Sequence, residues 1–325
     1  MTESSSAPDP DMVYGLYSGG FKSQFTRIAL LLDVFTPLAD GAADAASVAA
    51  HCGCDVSGTR ALLDYLASIG LLSREADTYS LTPTAATFLV LHEKTYAGRW
   101  ILEQTEPDLW HGMLRALQSG KPYRQPFTWA QDAWLESYRS ARLSVSLQMW
   151  QAAGIEPGRG QELRLADLGS GCAIKSLALA QADPAVHVTC LDRPEVLEVA
   201  RDLASRLHIT PQVTFRSGDL LSLDLGVRCY DVALLGQITQ ALTADQNVDL
   251  LSRVGRALKS DGLLVIDTIM AGEEPTELTS LITLLMWGTS GGAAHSFADY
   301  RTWLEASGFG QVTKLSQLWL TAVKG

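Results

Sequence analysis

Positive charge is scarce in this sequence. The 325 residues contain 25 Lys and Arg against 36 Asp and Glu, which gives a formal net charge of −11. Proteins that bind nucleic acid neutralise its phosphates with clustered Lys and Arg. The composition therefore argues against a nucleic-acid partner.

Cysteine is also scarce, and its pattern excludes two common roles. The five cysteines are an odd set without the spacing of a disulfide framework, and the closest pair is too tight for a C-x2-C zinc knuckle. No cluster of His, Cys and carboxylates has metal-ligand spacing, so we predict no metal, although a site assembled from distant residues stays open. The cysteines are Cys52, Cys54, Cys172, Cys190 and Cys229.

Long apolar runs are absent. No uninterrupted run approaches the roughly 20 residues that a membrane helix needs. The polar start, "MTESSSAPDPDM", has no basic or apolar signal-peptide region, and we predict a disordered tail over residues 1–12. Hydrophobic residues still make up 47% of the chain, enough for a sizeable core. These features predict a cytoplasmic protein of two domains, with reduced thiols and no membrane partner.

The front third is typical of a winged helix. The stretch "FKSQFTRIALLLDVFTPL" has apolar residues at helical spacing, two short helices flank Gly53, and "LLSREADTYSLT" reads as a hairpin. A DNA-recognition helix needs several base-reading polar side chains, whereas the second short helix offers Arg60, Asp64 and mainly Leu and Ala. We therefore predict a dimerisation domain over residues 13–100 that does not bind DNA.

Residues 88–150 are predicted to be helical and carry many large side chains. These side chains either pack between helices or form an aromatic and Met roof over a pocket, and the two interpretations are compatible. We assign residues 101–155 as a helical linker and substrate roof, with Trp110, Met113, Met149 and, further along, Met286 as pocket candidates. The other large side chains are Trp100, Tyr123, Phe127, Trp129, Trp134, Tyr138 and Trp150.

From Leu163 onward, short apolar strands alternate with helical patterns. The predicted strands are "LRLADLG", "VHVTCLD", "QVTFRSGD", "YDVALLG" and "GLLVIDTIM". Such alternation predicts an α/β domain with a doubly wound, Rossmann-like parallel sheet that binds ligands at the carboxyl ends of its strands. We place this domain at residues 156–325.

The first strand ends in "DLGSGCAIKS", which partly matches three ligand loops. A Walker A loop would use Lys175, but both this loop and the dinucleotide fingerprint require a glycine where the chain has Ile174. The third pattern, D-x-G-x-G, needs only an acid and two glycines. Asp167, Gly169 and Gly171 supply all three.

Two further strand ends carry acids. Asp192 ends the second strand, where its two oxygens can accept hydrogen bonds from a ribose diol. Gly218 and Asp219 follow the third strand, where Asp219 can bind an adenine amino group and Leu220 can pack on the ring. Each Asp alone is compatible with a solvated loop carboxylate. Three acids at three successive strand ends make coincidence much less plausible.

These motifs, with "LLGQITQALTADQNVDLLSRVGRALKSDGLLVID", resemble a class I S-adenosylmethionine (SAM)-dependent methyltransferase. The front third resembles the winged-helix dimerisation domain of the small-molecule O-methyltransferase family, so the resemblance runs from about Tyr14 to the end. It implies SAM as methyl donor, S-adenosylhomocysteine as product, a homodimer formed through the N-terminal domain, and a small acceptor, often of secondary metabolism. The implied cofactor-binding residues are Asp167, Gly169, Ser170, Gly171, Asp192, Arg193, Gly218, Asp219, Leu220, Gly236 and Gln237.

Tyr14 and Tyr17 lie in the segment that the family tends to exchange between subunits. They could therefore reach the pocket of the partner, although packing is the alternative that we slightly favour. Both residues are pocket candidates on this basis.

The catalytic positions depart from the family pattern. The resembled family has a His nine residues after the Asp that opens the fourth strand, but counting from Asp231 gives Gln240. The Gly-Gly-[KR]-Glu-Arg-Thr segment is replaced by Gly-Gly-Ala-Ala-His-Ser at residues 291–296. Because an amide cannot act as a base near neutral pH, the family reaction lacks its usual proton acceptor.

Three interpretations follow from this departure. The acceptor needs no base, as in C- or N-methylation or base-independent O-methylation. Alternatively, His295 or His111 replaces the missing base, or SAM serves a cyclisation, rearrangement or hydroxylation instead of methyl transfer. A hypothesis of another class is a winged-helix regulator that senses a small molecule.

Overall fold

A computed structural model describes residues 8–93, 96–123 and 143–325 of the chain. The chain divides into two compact units, residues 1–107 and 108–325, and each is described by itself. The second unit includes most of the segment predicted as a linker. The boundaries predicted at residues 100 and 155 therefore do not coincide with this division, which falls between them.

The first unit contains five helices and a small sheet within its described residues. Its three strands are ordered β1-β3-β2 and are antiparallel. The helices are α1 (Pro10–Leu31), α2 (Ala45–Cys52), α3 (Val56–Ser68), α4 (Pro83–Phe88) and α5 (Gly98–Gln104). The strands are β1 (Ala43–Asp44), β2 (Leu72–Glu75) and β3 (Thr78–Leu81).

Helices α2 and α3 and the β2–β3 hairpin form the predicted winged helix. Asp44 and Asp55 cap the two helices by accepting hydrogen bonds from backbone N–H groups. Gly53 ends α2 with a φ of 65°, which glycine adopts without steric cost. The predicted disordered tail was too long, because α1 begins at Pro10 with Asp9 as its cap. Residues 1–7 of that tail lie outside the described residues.

The second unit is built on a seven-stranded sheet. Strands β6, β5, β4, β7 and β8 are parallel in that order, and β10 and β9 continue the sheet in antiparallel fashion. The strands are β4 (Leu163–Leu168), β5 (Val186–Asp192), β6 (Val213–Ser217), β7 (Tyr230–Gly236), β8 (Leu258–Asp267), β9 (Phe309–Lys314) and β10 (Trp319–Lys324). The five predicted strands and the α/β class are thus confirmed.

Seven helices accompany this sheet in the described part of the chain. They are α6 (Pro107–Ser119), α7 (Leu143–Ala152), α8 (Ile174–Ala182), α9 (Pro194–Arg206), α10 (Ala244–Ala257), α11 (Glu277–Ser290) and α12 (Phe297–Ala306). No helix among the described residues is long and apolar enough to cross a membrane.

Alternating side chains of the parallel strands enter two apolar cores, one on each face of the sheet. On one face Leu165 and Val232 pack with residues of α7, α8 and α9. On the other face Leu235 and Ile266 pack with residues of α10 and α12. Because helices cover both faces of the sheet, a ligand can reach it only at the ends of the strands. In open α/β sheets ligands bind at the carboxyl ends.

The predicted aromatic and Met roof is mostly packing where it is described. Met149 and Trp150 are fully buried in the core, and Met113 is buried with its side chain close to Gly288 of α11. Trp110 is half exposed on α6, and Met286 is partly buried on α11. Phe127, Trp129, Trp134 and Tyr138 lie outside the described residues.

Candidate cofactor and acceptor site

The loop after β4 makes a tight turn that is held by hydrogen bonds to the end of β5. Gly169 has a φ of 66° and donates its N–H to the carbonyl of Leu191 at 2.8 Å. A Cβ on Gly169 would stand 2.5 Å from the Ile238 side chain, so only glycine fits. Gly171 has a φ of 56° with open space where its Cβ would be. The hydroxyl of Ser170 is buried and lies near the thiol of Cys190.

Asp192, the last residue of β5, is held rigidly beside that loop. Its carboxylate oxygens accept the N–H groups of Gly171 and Arg193, both at 2.8 Å. Burial raises the pKa of this carboxyl, against the opposing effect of those two hydrogen bonds. Each oxygen keeps a second lone pair, so the carboxylate can also accept both hydroxyls of a ribose diol. The side chain of Arg193 forms an ion pair with Glu195 at 3.7 Å.

The segment after β6 brings Asp219 and Leu220 to the same edge. Gly218 donates its N–H to the backbone carbonyl of Asp192 at 2.9 Å. The exposed carboxylate of Asp219 accepts the N–H of Leu221 at 2.9 Å. A methyl of Leu220 lies 3.5 Å from the Cβ position of Gly169, so the three loops converge.

Arg253 of α10 holds the segment that contains Asp219 in place. Its guanidinium donates to the carbonyl of Leu220 at 2.8 Å and also to the carbonyl of Leu223. Two donors of one rigid planar group hold the two carbonyls in a fixed relation. Arg253 was not among the predicted site residues, since no pattern in the sequence connects α10 with this loop.

Asp167 lies under the glycine loop and is only 3% exposed. The hydroxyl of Ser176 donates to its carboxylate at 2.5 Å. Burial raises the pKa of Asp167 to about 7, against the opposing effects of the Ser176 hydrogen bond and of Lys175. Its position makes Asp167 a support for the loop.

Gly236 and Gln237 end β7 at the centre of the same edge. Gln237 has a φ of 61° and donates its N–H to the carbonyl of Asp267 at 2.7 Å. The missing side chain of Gly236 leaves room for Lys175, whose ammonium lies 3.2 Å from the position of a Cβ. The sequence analysis missed Ile238, whose side chain packs against Gly169, and the ion pair between Lys175 and Asp267. The one signal for this pair in the sequence was that Lys175 follows a glycine loop.

Gln240 is buried, with 8% of its surface exposed. Its amide oxygen accepts the hydroxyl of Thr268 at 3.2 Å and the N–H of Ile269 at 3.3 Å. The same Thr268 hydroxyl lies 3.4 Å from the Tyr300 hydroxyl, which in turn lies 2.8 Å from Thr239. The side chain at the expected base position is therefore part of a buried, uncharged hydrogen-bond network.

His295 lies beside the same segment. Its Nε2 donates to the carbonyl of Leu242 at 3.3 Å, and its ring contacts Trp303 edge to face at 4.8 Å between centroids. Burial lowers the pKa of His295, so the ring is neutral near neutral pH. Since Nε2 carries the proton, Nδ1 is the nitrogen that can accept one.

The remaining candidates do not join this arrangement in the described residues. His111, a candidate base, lies on the exposed side of α6. Tyr14 and Tyr17 are 67% and 63% exposed on α1, at one end of an aromatic row. The row continues through Phe21, Phe25 and Tyr65. No group of metal-ligating side chains is found within residues 8–93, 96–123 and 143–325.

Comparison with known proteins gives two family matches. Residues 161–310 match the O-methyltransferase domain, and residues 15–91 match the O-methyltransferase dimerisation domain. The N,N-dimethyltransferase OxyT of Streptomyces rimosus is 26% identical over 86% of this chain and 85% of its own. The tetracenomycin polyketide synthesis 8-O-methyl transferase TcmO of Streptomyces glaucescens is 27% identical over 96% and 95%.

A solved structure has the same fold. Human N-acetylserotonin methyltransferase in complex with SAM superimposes with a TM-score of 0.81 and 22% identity over the full length of both chains. The two matched family domains, in their order along the chain, agree with the two units of the structure. The chain therefore belongs to the O-methyltransferase family, as a SAM-dependent methyltransferase with an N-terminal dimerisation domain.

Proposed function

We propose that the protein methylates a small molecule whose nucleophile needs no general base. The acceptor atom is an amine nitrogen, an enolisable or electron-rich carbon, or an oxygen that is already ionised. The observation that carries the proposal is Gln240, whose amide stands at the base position with its oxygen already bonded to Thr268 and Ile269.

The cofactor role is assigned to the loops after β4, β5 and β6. Asp192 would bind the ribose diol, and Asp219 and Leu220 would bind adenine. Gly171 has a positive φ and open space at its Cβ position, so no side chain of this residue obstructs a ligand there. These features fit the nucleoside of SAM, whose sulfonium supplies an activated methyl group.

The protein then contributes mainly by positioning. In-line displacement at a methyl carbon requires the acceptor atom, the carbon and the leaving sulfur to be collinear. Well-oriented reactants reach effective molarities of about 10⁵–10⁸ M, so orientation alone provides a large part of the rate. A general base would add roughly 10²–10⁴-fold for a neutral hydroxyl acceptor. The uncharged hydrogen-bond network of Gln240 and Thr268 supports positioning of the acceptor without proton transfer.

A second candidate is O-methylation with His295 as base. Its lowered pKa keeps the ring neutral, and Nδ1 is able to accept a proton. Against it, the Nε2 proton is donated to a backbone carbonyl rather than to a carboxylate that would stabilise the charged ring. We therefore place this candidate second.

The named relatives cover both kinds of acceptor. OxyT is an N,N-dimethyltransferase and TcmO an 8-O-methyl transferase of a polyketide pathway. They support a role in secondary metabolism and include both a nitrogen and an oxygen acceptor. Neither the non-methylating reaction nor the winged-helix regulator is favoured by these relatives.

The test is a panel of matched aromatic amines and phenols, with S-adenosylhomocysteine formation as the readout. We expect turnover of amines or carbon nucleophiles at neutral pH, and of phenols only in proportion to their ionised fraction. Neutral phenols methylated by the wild type but not by His295→Gln, with Gln240→Ala fully active, would overturn the proposal in favour of His295. A DNA-mobility shift without turnover would favour a regulator.

We also propose that the dimerisation domain forms a homodimer through α1. The exposed aromatic row of Tyr14, Tyr17, Phe21 and Phe25 supports this assignment. Analytical ultracentrifugation should give a dimer for the wild type and a monomer for Tyr17→Glu combined with Phe21→Glu. A wild-type monomer would contradict the assignment.

A further inference from the structure

A buried ion pair lies at the carboxyl edge of the sheet and has no part in the function proposed above. The ammonium of Lys175, in the first turn of α8, lies 2.6 Å from the carboxylate of Asp267 at the end of β8. The two side chains are only 14% and 5% exposed. Lys175 passes over Gly236, the last residue of β7, at the place where any other residue would carry a Cβ.

Stability alone is a weak explanation for this pair. Removing two charges from water costs several kcal/mol per ion, and apolar replacements of such pairs are often neutral or stabilising. Buried, paired ionisable groups at a ligand edge are instead typical of functional sites. The location therefore points to a charged ligand group.

We infer that Lys175 binds the α-carboxylate at the amino-acid end of SAM and that Asp267 holds Lys175 in place. The inference rests on the cofactor placement of the proposed function. A Lys ammonium has three N–H donors, and Asp267 takes one of them, so two stay available for a carboxylate.

The order of the strands supports this orientation. The adenosine-binding residues Asp192 and Asp219 belong to β5 and to the segment after β6, on one side of β4. The opposite end of an extended cofactor then lies over β4 and β7, where Lys175 packs on Gly236. From β5 to β7 there are two strand spacings, about 10 Å, which the chain from ribose to carboxylate can cross.

The distribution of charge supports it as well. The loops after β4, β7 and β8, residues 169–176, 237–243 and 268–276, contain Lys175 as their single Lys or Arg. The carboxylates of Asp192 and Asp267 lie at the same edge. A ligand carboxylate in this region is repelled unless a positive charge compensates for it. Lys175 is the cation that these loops supply.

The test compares two ligands by calorimetry. S-adenosylhomocysteine carries the amino-acid end, whereas 5′-methylthioadenosine lacks it. In Lys175→Met we expect the affinity for S-adenosylhomocysteine to fall tenfold or more and that for 5′-methylthioadenosine to stay within twofold. Lys175→Arg, which keeps the charge, should recover part of the lost affinity.

The same sheet offers a matched control. Lys259 of β8 pairs with Asp231 of β7 at 2.7 Å, nearly the same length, at the opposite edge. Lys259→Met should leave the affinities for both ligands unchanged. Because Lys175→Met leaves the Asp267 carboxylate buried without its partner, the combination with Asp267→Asn removes both charges and should give the same selective loss.

Equal loss of both ligands in a folded Lys175 variant, or no loss of either, would overturn the inference. Those results leave the proposed function standing if the wild type binds S-adenosylhomocysteine. Failure of the wild type to bind either ligand would instead remove the cofactor assignment itself. Thermal melting of each variant establishes that it is folded.

Discussion

The carboxyl edge of the sheet has two halves whose polar side chains are used differently. In the cofactor half, the loops after β4, β5 and β6, the carboxylate of Asp192 keeps hydrogen-bonding capacity for a ligand. The acceptor half consists of the loops after β7 and β8 together with residues 291–296. Here the amide oxygen of Gln240 already accepts hydrogen bonds from Thr268 and Ile269. One half keeps an acceptor for a polar ligand, whereas the other presents at Gln240 an uncharged amide that is already bonded to the protein.

This difference explains why the family pattern survives in one half and not in the other. Binding a nucleoside requires specific acceptors whatever the reaction, so Asp192 and the glycine loop keep their roles. Proton removal is needed only for some acceptors, so the position of Gln240 is free to change when the acceptor is already nucleophilic. Mutations in the two halves should therefore change different quantities.

The largest effect is expected for Asp192→Ala. Losing two hydrogen bonds to a charged acceptor, each about 1.5–3 kcal/mol, should weaken S-adenosylhomocysteine binding by about 100-fold or more in calorimetry. Asp202→Ala, which removes an exposed carboxylate of α9 paired with Arg206, is the matched control and should bind normally. Binding within threefold of wild type by Asp192→Ala would remove the distinction between the halves.

The next effect concerns pH and Asp167. Its pKa is raised to about 7 in the folded protein, above the value of 3.8 for an ordinary Asp, so between these values the folded state keeps a proton that the unfolded chain has lost. The free energy of unfolding should therefore fall as pH rises towards 7, by roughly 2 kcal/mol between pH 5 and 7.

Asp167→Asn carries no such proton, so this fall should be smaller by that amount in its denaturant-unfolding curves. Both proteins are measured without cofactor over the same pH range. Parallel pH profiles of wild type and Asp167→Asn would show that the Asp167 carboxyl titrates normally.

A smaller effect is expected for Arg253→Ala, which frees the carbonyls of Leu220 and Leu223. The Asp219 loop then has to be ordered by the ligand, and S-adenosylhomocysteine affinity should fall about tenfold, equivalent to roughly 1.4 kcal/mol. Arg256→Ala, on the exposed side of the same helix, is the control. If Arg253→Ala bound as tightly as Arg256→Ala, the loop would not depend on Arg253.

The smallest effect on turnover is expected in the acceptor half, for Gln240→Ala. The kcat with a good acceptor should change by less than about threefold, because the amide takes no proton. Loss of the acceptor for Thr268 and Ile269 should lower the free energy of unfolding by roughly 1–3 kcal/mol. A loss of kcat comparable to the removal of a general base would restore a catalytic role to this position.

Much of the fold could be predicted because its signals are local. The alternation of apolar strands and amphipathic helices defined β4 to β8, and Gly53 with its flanking helices defined the winged helix. The D-x-G-x-G spacing located the cofactor loop, since a positive φ at Gly169 and Gly171 requires glycine. Helix ends were less predictable, as the start of α1 at Pro10 shows.

The sequence by itself therefore determined the family, the candidate cofactor loop and the departure at Gln240. Only the tertiary structure decided which side chains meet: Lys175 with Asp267, Arg253 with the Asp219 loop, and Gln240 with Thr268. The physical reason is the distance along the chain over which each kind of interaction acts. Periodicity and turn chemistry act between neighbours along the chain, whereas these contacts join strand ends and helices that only the packed sheet brings together.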